Sequence, residues 1–353
     1  MAAETSTPQQ GARPPLRFVE LGGVSFRVNL RVILMSCLAL AALTALAGWA
    51  LTLGSFPLSM GDVFRALTGS PTADSEFIIL DLRLPRVLAA VLVGPMLAMS
   101  GAIFQGLVRN PLVSPDIIGI NAGAAVAAVF WIVTNQPLAV LPLVAFAGAL
   151  AAGIAVYVLS WRGHISAPRL VLVGIGINAL LTAATTFLLI RAEINDASRA
   201  VLWMAGSVYA VDWSDIRVLS VTLLALAVVG ATLMWALRVM QVGDLPARSV
   251  GMPLERTRLA LIVVGCALSA FAVSVTGPIG FVALMVPHLA RMLAGPMSGG
   301  VFLFAGVLGA LLVLGADMTG QHALPATMPV GVLTAAVGAP YFLFLLYRTN
   351  TRL

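Results

Sequence analysis

Charged side chains divide this chain into long apolar runs. Between Arg31 and Asp62 lie 30 uncharged residues, between Arg86 and Arg109 there are 22, and between Asp116 and Arg162 there are 45. Runs of 21, 20, 32, 25 and 30 residues follow, bounded by Arg169 and Arg191, Arg217 and Arg238, Arg258 and Arg291, Arg291 and Asp317, and Asp317 and Arg348. A charge at the centre of a bilayer costs several kcal/mol, so such runs mark segments able to cross it. A crossing helix needs about 20 apolar residues, and a helix is required because lipid leaves the edge of an open strand unpaired. Most runs hold one span. The 45-residue run carries Asn135-Gln136-Pro137 near its middle, a turn signal, and reads as two. The 32-residue run is broken at Thr276-Gly277-Pro278 and reads as two spans of minimal length. The pattern predicts an all-α, polytopic membrane protein with about ten transmembrane helices.

Arginine placement orients it. With ten spans and both termini on one side, that side holds 14 Arg and five acids, and the other holds six Arg and nine acids. The nets are +9 and −3, a strong positive-inside asymmetry that places both termini in the cytoplasm. Crossing 259–290 only once would move Arg291, Arg348 and Arg352 outside and weaken the bias, which favours ten spans over nine. Residues 1–30 are then a cytoplasmic tail, predicted to be disordered, whose opening from Met1 to about Pro15 is rich in Thr, Gln and Pro. Residues 31–348 form a single transmembrane domain, and 349–353 a short cytoplasmic tail. The run after Arg31 is a full span, so no cleavable leader is predicted.

Composition agrees: 60% of the 353 residues are apolar, 10% are charged and the mean hydropathy is +1.02. A soluble chain is about a quarter charged. All 20 basic residues are Arg, and the absence of Lys excludes both a P-loop nucleotidase and Schiff-base chemistry. Cys37 and Cys266 sit in apolar runs and read as packing residues. His164, His288 and His322 lack metal-site spacing, so no metal site is expected. The spans almost lack the ionisable groups of ion-coupled transporters and proton relays. Their main polar side chains, Gln105 and Asn178, read as interhelical hydrogen-bond partners. No acids, His or nucleophiles converge, so an enzyme is not expected. A path without fixed charge in a chain without a nucleotide site points to an energy source in a partner protein. A secondary transporter working alone is the rival from another class.

Several segments carry a family resemblance. Arg83-Leu84-Pro85-Arg86 opens the second span, followed by Ser100-Gly101, Gln105 and Asn110-Pro111-Leu112-Val113-Ser114-Pro115-Asp116. Later come Gly277-Pro278-Ile279-Gly280-Phe281, Val286-Pro287-His288-Leu289-Ala290-Arg291, Pro329-Val330-Gly331 and Gly338-Ala339-Pro340. In this order and spacing they resemble FecCD-type permeases, the membrane subunits of ABC importers for iron–siderophore, haem and vitamin B12. The resemblance runs from about Leu51 to Arg348 and implies a ten-helix permease fold.

It also implies partners: two ABC ATPase subunits that bind ATP and Mg, a periplasmic or lipoprotein binding protein, and a second permease copy in a homodimer or a paralogous heterodimer. The setting it implies is the lipid of a bacterial inner membrane; no cofactor in this chain and no nucleic-acid partner are expected. The inner segment near 239–257 is similar to the family's coupling segment of two short helices. In it Gly243, Ala247 and Gly251 would pack closely on the ATPase, Arg248 and Arg256 would pair with acids there, and Asp244 belongs to the same loop; Leu245-Pro246 departs from the usual pattern. Arg83 and Arg86 at the outer mouth resemble the arginines that dock the binding protein, and Gln321 and Thr327 depart from that corner of the pattern. Ser166-Ala167-Pro168 matches the cytoplasmic gate. Trp203-Met204-Ala205-Gly206-Ser207, followed by Trp213, is similar to siderophore permeases and tilts the cargo towards a ferric siderophore, with haem and vitamin B12 as alternatives.

Overall fold

Helix Leu84–Val108 has eighteen of its twenty-five residues buried, and the bundle is organised around it. A computed structural model describes residues 17–21, 24–70, 76–163, 165–209 and 211–350. A two-stranded antiparallel hairpin, β1 (Arg17–Leu21) and β2 (Val24–Val28), leads into α1 (Leu30–Thr52) and α2 (Met60–Leu67). A π-helical turn over Phe77–Arg83 runs directly into α3 (Leu84–Val108). Next come α4 (Ile120–Val133), α5 (Leu141–Ser160), α6 (Ala167–Arg191), α7 (Ile194–Met204) and α8 (Trp213–Val242). The chain ends with α9 (Asp244–Ser249), α10 (Leu254–Thr276), α11 (Val282–Ala294), α12 (Gly299–His322) and α13 (Val330–Asn350).

Among the described residues, seven segments are long and apolar enough to cross a membrane: α1, α3 with its π turn, α5 with the 3-10 turn before it, α6, α8, α10 and α12. Three shorter apolar helices, α4, α11 and Val330–Phe344 of α13, complete the ten expected. Local chemistry sets the boundaries. The Asn29 side chain caps α1, and Ser59 and Asp62 form a reciprocal capping box at α2, as Asp212 and Asp215 do at α8. Asn135 ends α4 with a left-handed φ of 53°.

Two boundaries differ from expectation. The 32-residue run does break at Gly277, but unequally: α10 takes 23 residues, while α11 has 13 and carries Arg291 in its last turn. Residues 277–281 are not helical; Gly277 and Ile279 are buried and the rest half-buried, and packing against protein is what makes such backbone tolerable at membrane depth. The hairpin also falls inside the 1–30 segment expected to lack order; its Phe and Val positions favour a pleated ladder. Residues 1–16 lie outside the described residues, as do 351–353, and α13 continues into the tail that was drawn from 349.

Close packing at α3 depends on small residues. A Cβ on Gly94 would stand 2.3 Å from the Gly309 carbonyl oxygen, and a Cβ on Gly309 would stand 2.3 Å from that of Gly94. α3 and α12 therefore meet backbone to backbone. By contrast α6 is nearly bare, with Leu172, Leu180 and Ile190 more than 60% exposed.

Gly94→Val should lower the unfolding free energy by about 3 kcal/mol or more, because neither backbone can retreat. The measurement is the thermal unfolding midpoint in detergent. Gly176→Val on α6, where a Cβ meets nothing of its own chain within 4 Å, is the control and should leave the midpoint of the monomer in detergent nearly unchanged.

Candidate functional site

Polar chemistry gathers at the two ends of the bundle. At one end the short helix α9 begins where Gly243 (φ 145°) stops α8, and Gly251 (φ 77°) turns the chain towards α10. Six residues give one short helix here, and the second helix expected in the 239–257 segment is the first turn of α10 itself. Ala247 is fully buried against its own chain, so it does not face a partner as the sequence suggested. The outward side of α9 carries Leu245 (81% exposed), Pro246, Arg248 and Ser249, with Val250 (67% exposed) just after it. A six-residue helix must bury something to stay folded, and its one small apolar residue on the inner face supplies that anchor.

Asp244 is fixed by two arginines. Arg258 Nη2 donates to Asp244 Oδ2 at 2.7 Å, and Arg109 Nη2 stands 3.5 Å from Asp244 Oδ1. The hydrogen bond from Arg258 holds the Asp244 carboxyl below the usual carboxylate range. Arg258 also donates through Nη1 to Glu255 Oε1 at 2.8 Å. Glu255 Oε2 in turn accepts from the backbone N–H of Ile165 at 3.4 Å. Ile165 precedes Ser166-Ala167-Pro168, which start α6 with Pro in its first turn. A cavity of about 320 Å³ lies between these parts, lined by Arg109, Ser166, Ala167, Leu170, Asp244 and Arg258. The structure thus joins the candidate gate and the candidate coupling helix at one cavity. His164, beside the gate turn, lies outside the described residues.

Arg258, Glu255 and Arg109 were not singled out from sequence. The spacing of Glu255 and Arg258 by three residues was a readable signal of a helical ion pair. The approach of Arg258 to Asp244, fourteen residues away along the chain, was not.

At the opposite end, which carries α2 and α7, Arg86 and Asp317 form a two-pronged pair: Nε to Oδ2 at 3.0 Å and Nη2 to Oδ1 at 2.9 Å. The Asp317 side chain is only 4% exposed. Gln321 donates its amide to the same carboxylate, and the Tyr209 ring lies 5.4 Å from the Arg86 guanidinium. Arg83 donates to the carbonyls of Leu51 (2.8 Å) and Phe56 (2.6 Å). Arg83 and Arg86 thus both find acceptors inside the chain, Arg86 on a buried carboxylate. The reason is charge balance: a carboxylate as buried as Asp317 requires a cation beside it. Two cavities, of about 980 and 800 Å³, open here and share Arg86, Tyr209, Gln321 and His322 on their walls. Thr327 lines the smaller one.

The motif glycines are packing points. A Cβ on Gly277 would lie 2.3 Å from the Trp203 carbonyl oxygen, and one on Gly331 would lie 2.2 Å from that of Ala205. Ser207 N donates to Thr276 O at 2.7 Å, and Gly331 N donates to Gly206 O at 3.0 Å. The segments containing Gly277-Pro278, Pro329-Gly331 and Trp203–Ser207 are one backbone knot beside the 800 Å³ cavity. Gly338 packs on Phe281, Gly280 has open space, Pro287 and Pro340 lie inside α11 and α13, and His288 meets the Tyr341 ring edge-on at 6.3 Å. Gln105 ties helices as expected: its amide donates to Leu284 O at 2.8 Å and accepts from Arg291 at 2.6 Å.

Asn110 Oδ1 accepts from Leu112 N at 2.9 Å, which tightens the turn that Asn110-Pro111 opens after α3. Asp116 closes that loop with its carboxyl turned inward, where burial pushes it up to about 6 despite hydrogen bonds from Asn121 and Ser114.

Comparison with known proteins gives a consistent picture. A family model for the FecCD transport family matches residues 37–348. The chain is 40% identical to the achromobactin transport system permease protein CbrC of Dickeya dadantii, over 93% of this chain and 95% of the relative. It is 37% identical to the ferric enterobactin transport system permease protein FepG of Escherichia coli, over 91% and 98%. It is 39% identical to the hemin transport system permease protein HmuU of Yersinia pestis, over 91% and 97%. A solved inward-facing structure described as a metal-chelate type ABC transporter superposes with a TM-score of 0.81 at 28% identity, covering 90% of this chain and 99% of that one.

Two outcomes test this geometry. Arg86→Ala leaves the Asp317 carboxylate without its cation and should destabilise the protein by about 3–5 kcal/mol; adding Asp317→Asn should restore most of the lost thermal stability, and a double variant no better than the single one would refute the pairing. The folded-state value of Asp116 lies above its ordinary 3.8, so the folded protein binds more protons between 3.8 and about 6 and loses stability as pH rises through that window. Asp116→Asn should flatten the dependence of the unfolding midpoint on pH between about 4 and 7, and an unchanged slope would count against the burial.

Proposed function

The chain belongs to the FecCD transport family of ABC importer permeases, and from that membership we propose that its cargo is a ferric siderophore. It is a membrane-spanning transport subunit rather than an enzyme, and its family implies ATPase and binding-protein partners. ATP and Mg bind to the ATPase subunits.

In this reading the α9 end faces the cytoplasm with both termini, in a bacterial inner membrane, as the arginine asymmetry favours. Leu245, Arg248 and Val250 form the knob that seats in the ATPase, with Gly243 and Gly251 as its hinges and Ala247 as its root. Exposed apolar side chains beside the exposed Arg248 suit a docking surface better than they suit water. Ser166-Ala167-Pro168 close the path against a second permease copy, whose contact includes the bare face of α6. The binding protein delivers cargo to the opposite mouth. There Arg83 and Arg86 act from within, holding the rim that the partner meets.

The observation that carries the cargo reading is the place of Trp203 and Ser207. Both line the 800 Å³ cavity at that mouth, next to Arg86 and Tyr209. A bulky ferric chelate suits a wide wall that offers aromatic faces and hydroxyl and amide hydrogen-bonding groups. The achromobactin and enterobactin relatives support the same class. A haem importer is the second reading, favoured by the similarity to the hemin permease.

Uptake of radio-iron should be seen with ferric siderophores and not with haem when the chain is expressed with its ATPase and binding protein in cells lacking their own permeases. Arg248→Glu should abolish that uptake while the protein still reaches the membrane at normal levels. Haem-only uptake would sink the cargo reading, and full uptake by the Arg248 variant would sink the docking role.

A further inference from the structure

At the α9 end Arg109 and Arg258 bracket Asp244, Arg258 also holds Glu255, and Arg248 on α9 itself adds its charge near Asp244. Arg258 is the hub, its side chain only 11% exposed, with one nitrogen on each carboxylate at 2.7 and 2.8 Å. Asp244 is the first residue of α9, and Glu255 lies in the first turn of α10. The second oxygen of Glu255 reaches across to the N–H of Ile165, immediately before the gate turn. Between the gate turn and Asp244 themselves there is a cavity of about 320 Å³ rather than packed side chains. Force applied to α9 therefore has a hydrogen-bonded route to the gate that runs through Arg258 and Glu255.

We infer that Arg258 and Glu255 are positioning residues that transmit movement of α9 to the gate turn. This rests on the reading of α9 as the ATPase-docking helix and of Ser166-Ala167-Pro168 as a gate. The physical reason is the penalty for stranding a charge. Arg258 is nearly buried, so a displacement of Asp244 either drags it along or leaves it to Glu255 alone. In both cases the orientation of Glu255 changes. Its bond to Ile165, at 3.4 Å, is the longest in the chain of contacts and is the joint that yields first. Arg109, whose Nη2 donates to the Met240 carbonyl and stands 3.5 Å from Asp244, keeps a cation near the acid if it parts from Arg258. The adjoining cavity gives the turn room to move.

The test is the accessibility of Ser166→Cys to a water-soluble maleimide. The background carries Cys37→Ser and Cys266→Ala, and the permease is assembled with its ATPase in lipid nanodiscs. In the parent chain, ATP trapped on a hydrolysis-blocked ATPase should change the labelling rate several-fold relative to the nucleotide-free complex. Glu255→Ala and Arg258→Gln should remove that difference while the ATPase still co-purifies. Glu255→Gln is the milder variant. It keeps an oxygen for the Ile165 N–H but loses the ion pair with Arg258, and it should also lose most of the nucleotide response. Any of these variants that folds and keeps the parental response overturns the inference. So does a variant that sheds the ATPase, because the cluster would then only hold α9 in place. A parent chain that binds ATPase but shows no response at Ser166 overturns the gate assignment and the link together, whereas a parent chain that fails to bind ATPase overturns the docking reading on which both depend.

Discussion

A backbone with no water to bond must bond to itself; each helix of this protein meets that requirement within its own segment, which leaves close packing around α3 to hold the helices together. The contact of Gly94 with Gly309 shows how close: two helix backbones touch, with no side chain between them. Where helices approach this tightly, van der Waals contact replaces the hydrophobic driving force that lipid cannot provide. The break between α10 and α11 is possible for the same reason. Its non-helical residues pack against the Trp203 carbonyl, Gly206 and Gly338 of α13, so protein backbone lies against them.

That rigid centre leaves the charged chemistry at the two ends, and each end treats charge differently. Arg86 and Asp317 are locked together with Gln321 and Tyr209 around them, an arrangement suited to holding a rim in shape. At the α9 end the pairs are shared: one arginine serves two acids, and one acid is within reach of two arginines. Shared pairs exchange more readily than exclusive ones because no charge is abandoned during the exchange. Under the function proposed above, the exclusive pair lies where cargo would be received and the shared pairs lie where the ATPase would act.

Helix α9 shows how a short element changes meaning when it is seen in three dimensions. Gly243, Ala247 and Gly251 are small, and smallness alone suggests a surface for close docking. In the fold the glycines are turns and the alanine is an anchor, while Leu245, which looked like a departure from the family pattern, is the most exposed apolar residue of the helix.

The number of apolar segments, their approximate limits, the turn at Asn135 and the break at Gly277 were determined by the sequence alone, because bilayer thickness and the cost of charge act residue by residue along a chain. The family motifs were equally legible as a linear order. Three kinds of fact were decided only by tertiary structure: that Arg86 is bound to Asp317, that Arg258 reaches Asp244, and that Gly277, Gly331 and Gly206 meet in one knot. Each is a contact between residues far apart in the chain. A single sequence carries no term for the distance between such residues until the helices have packed.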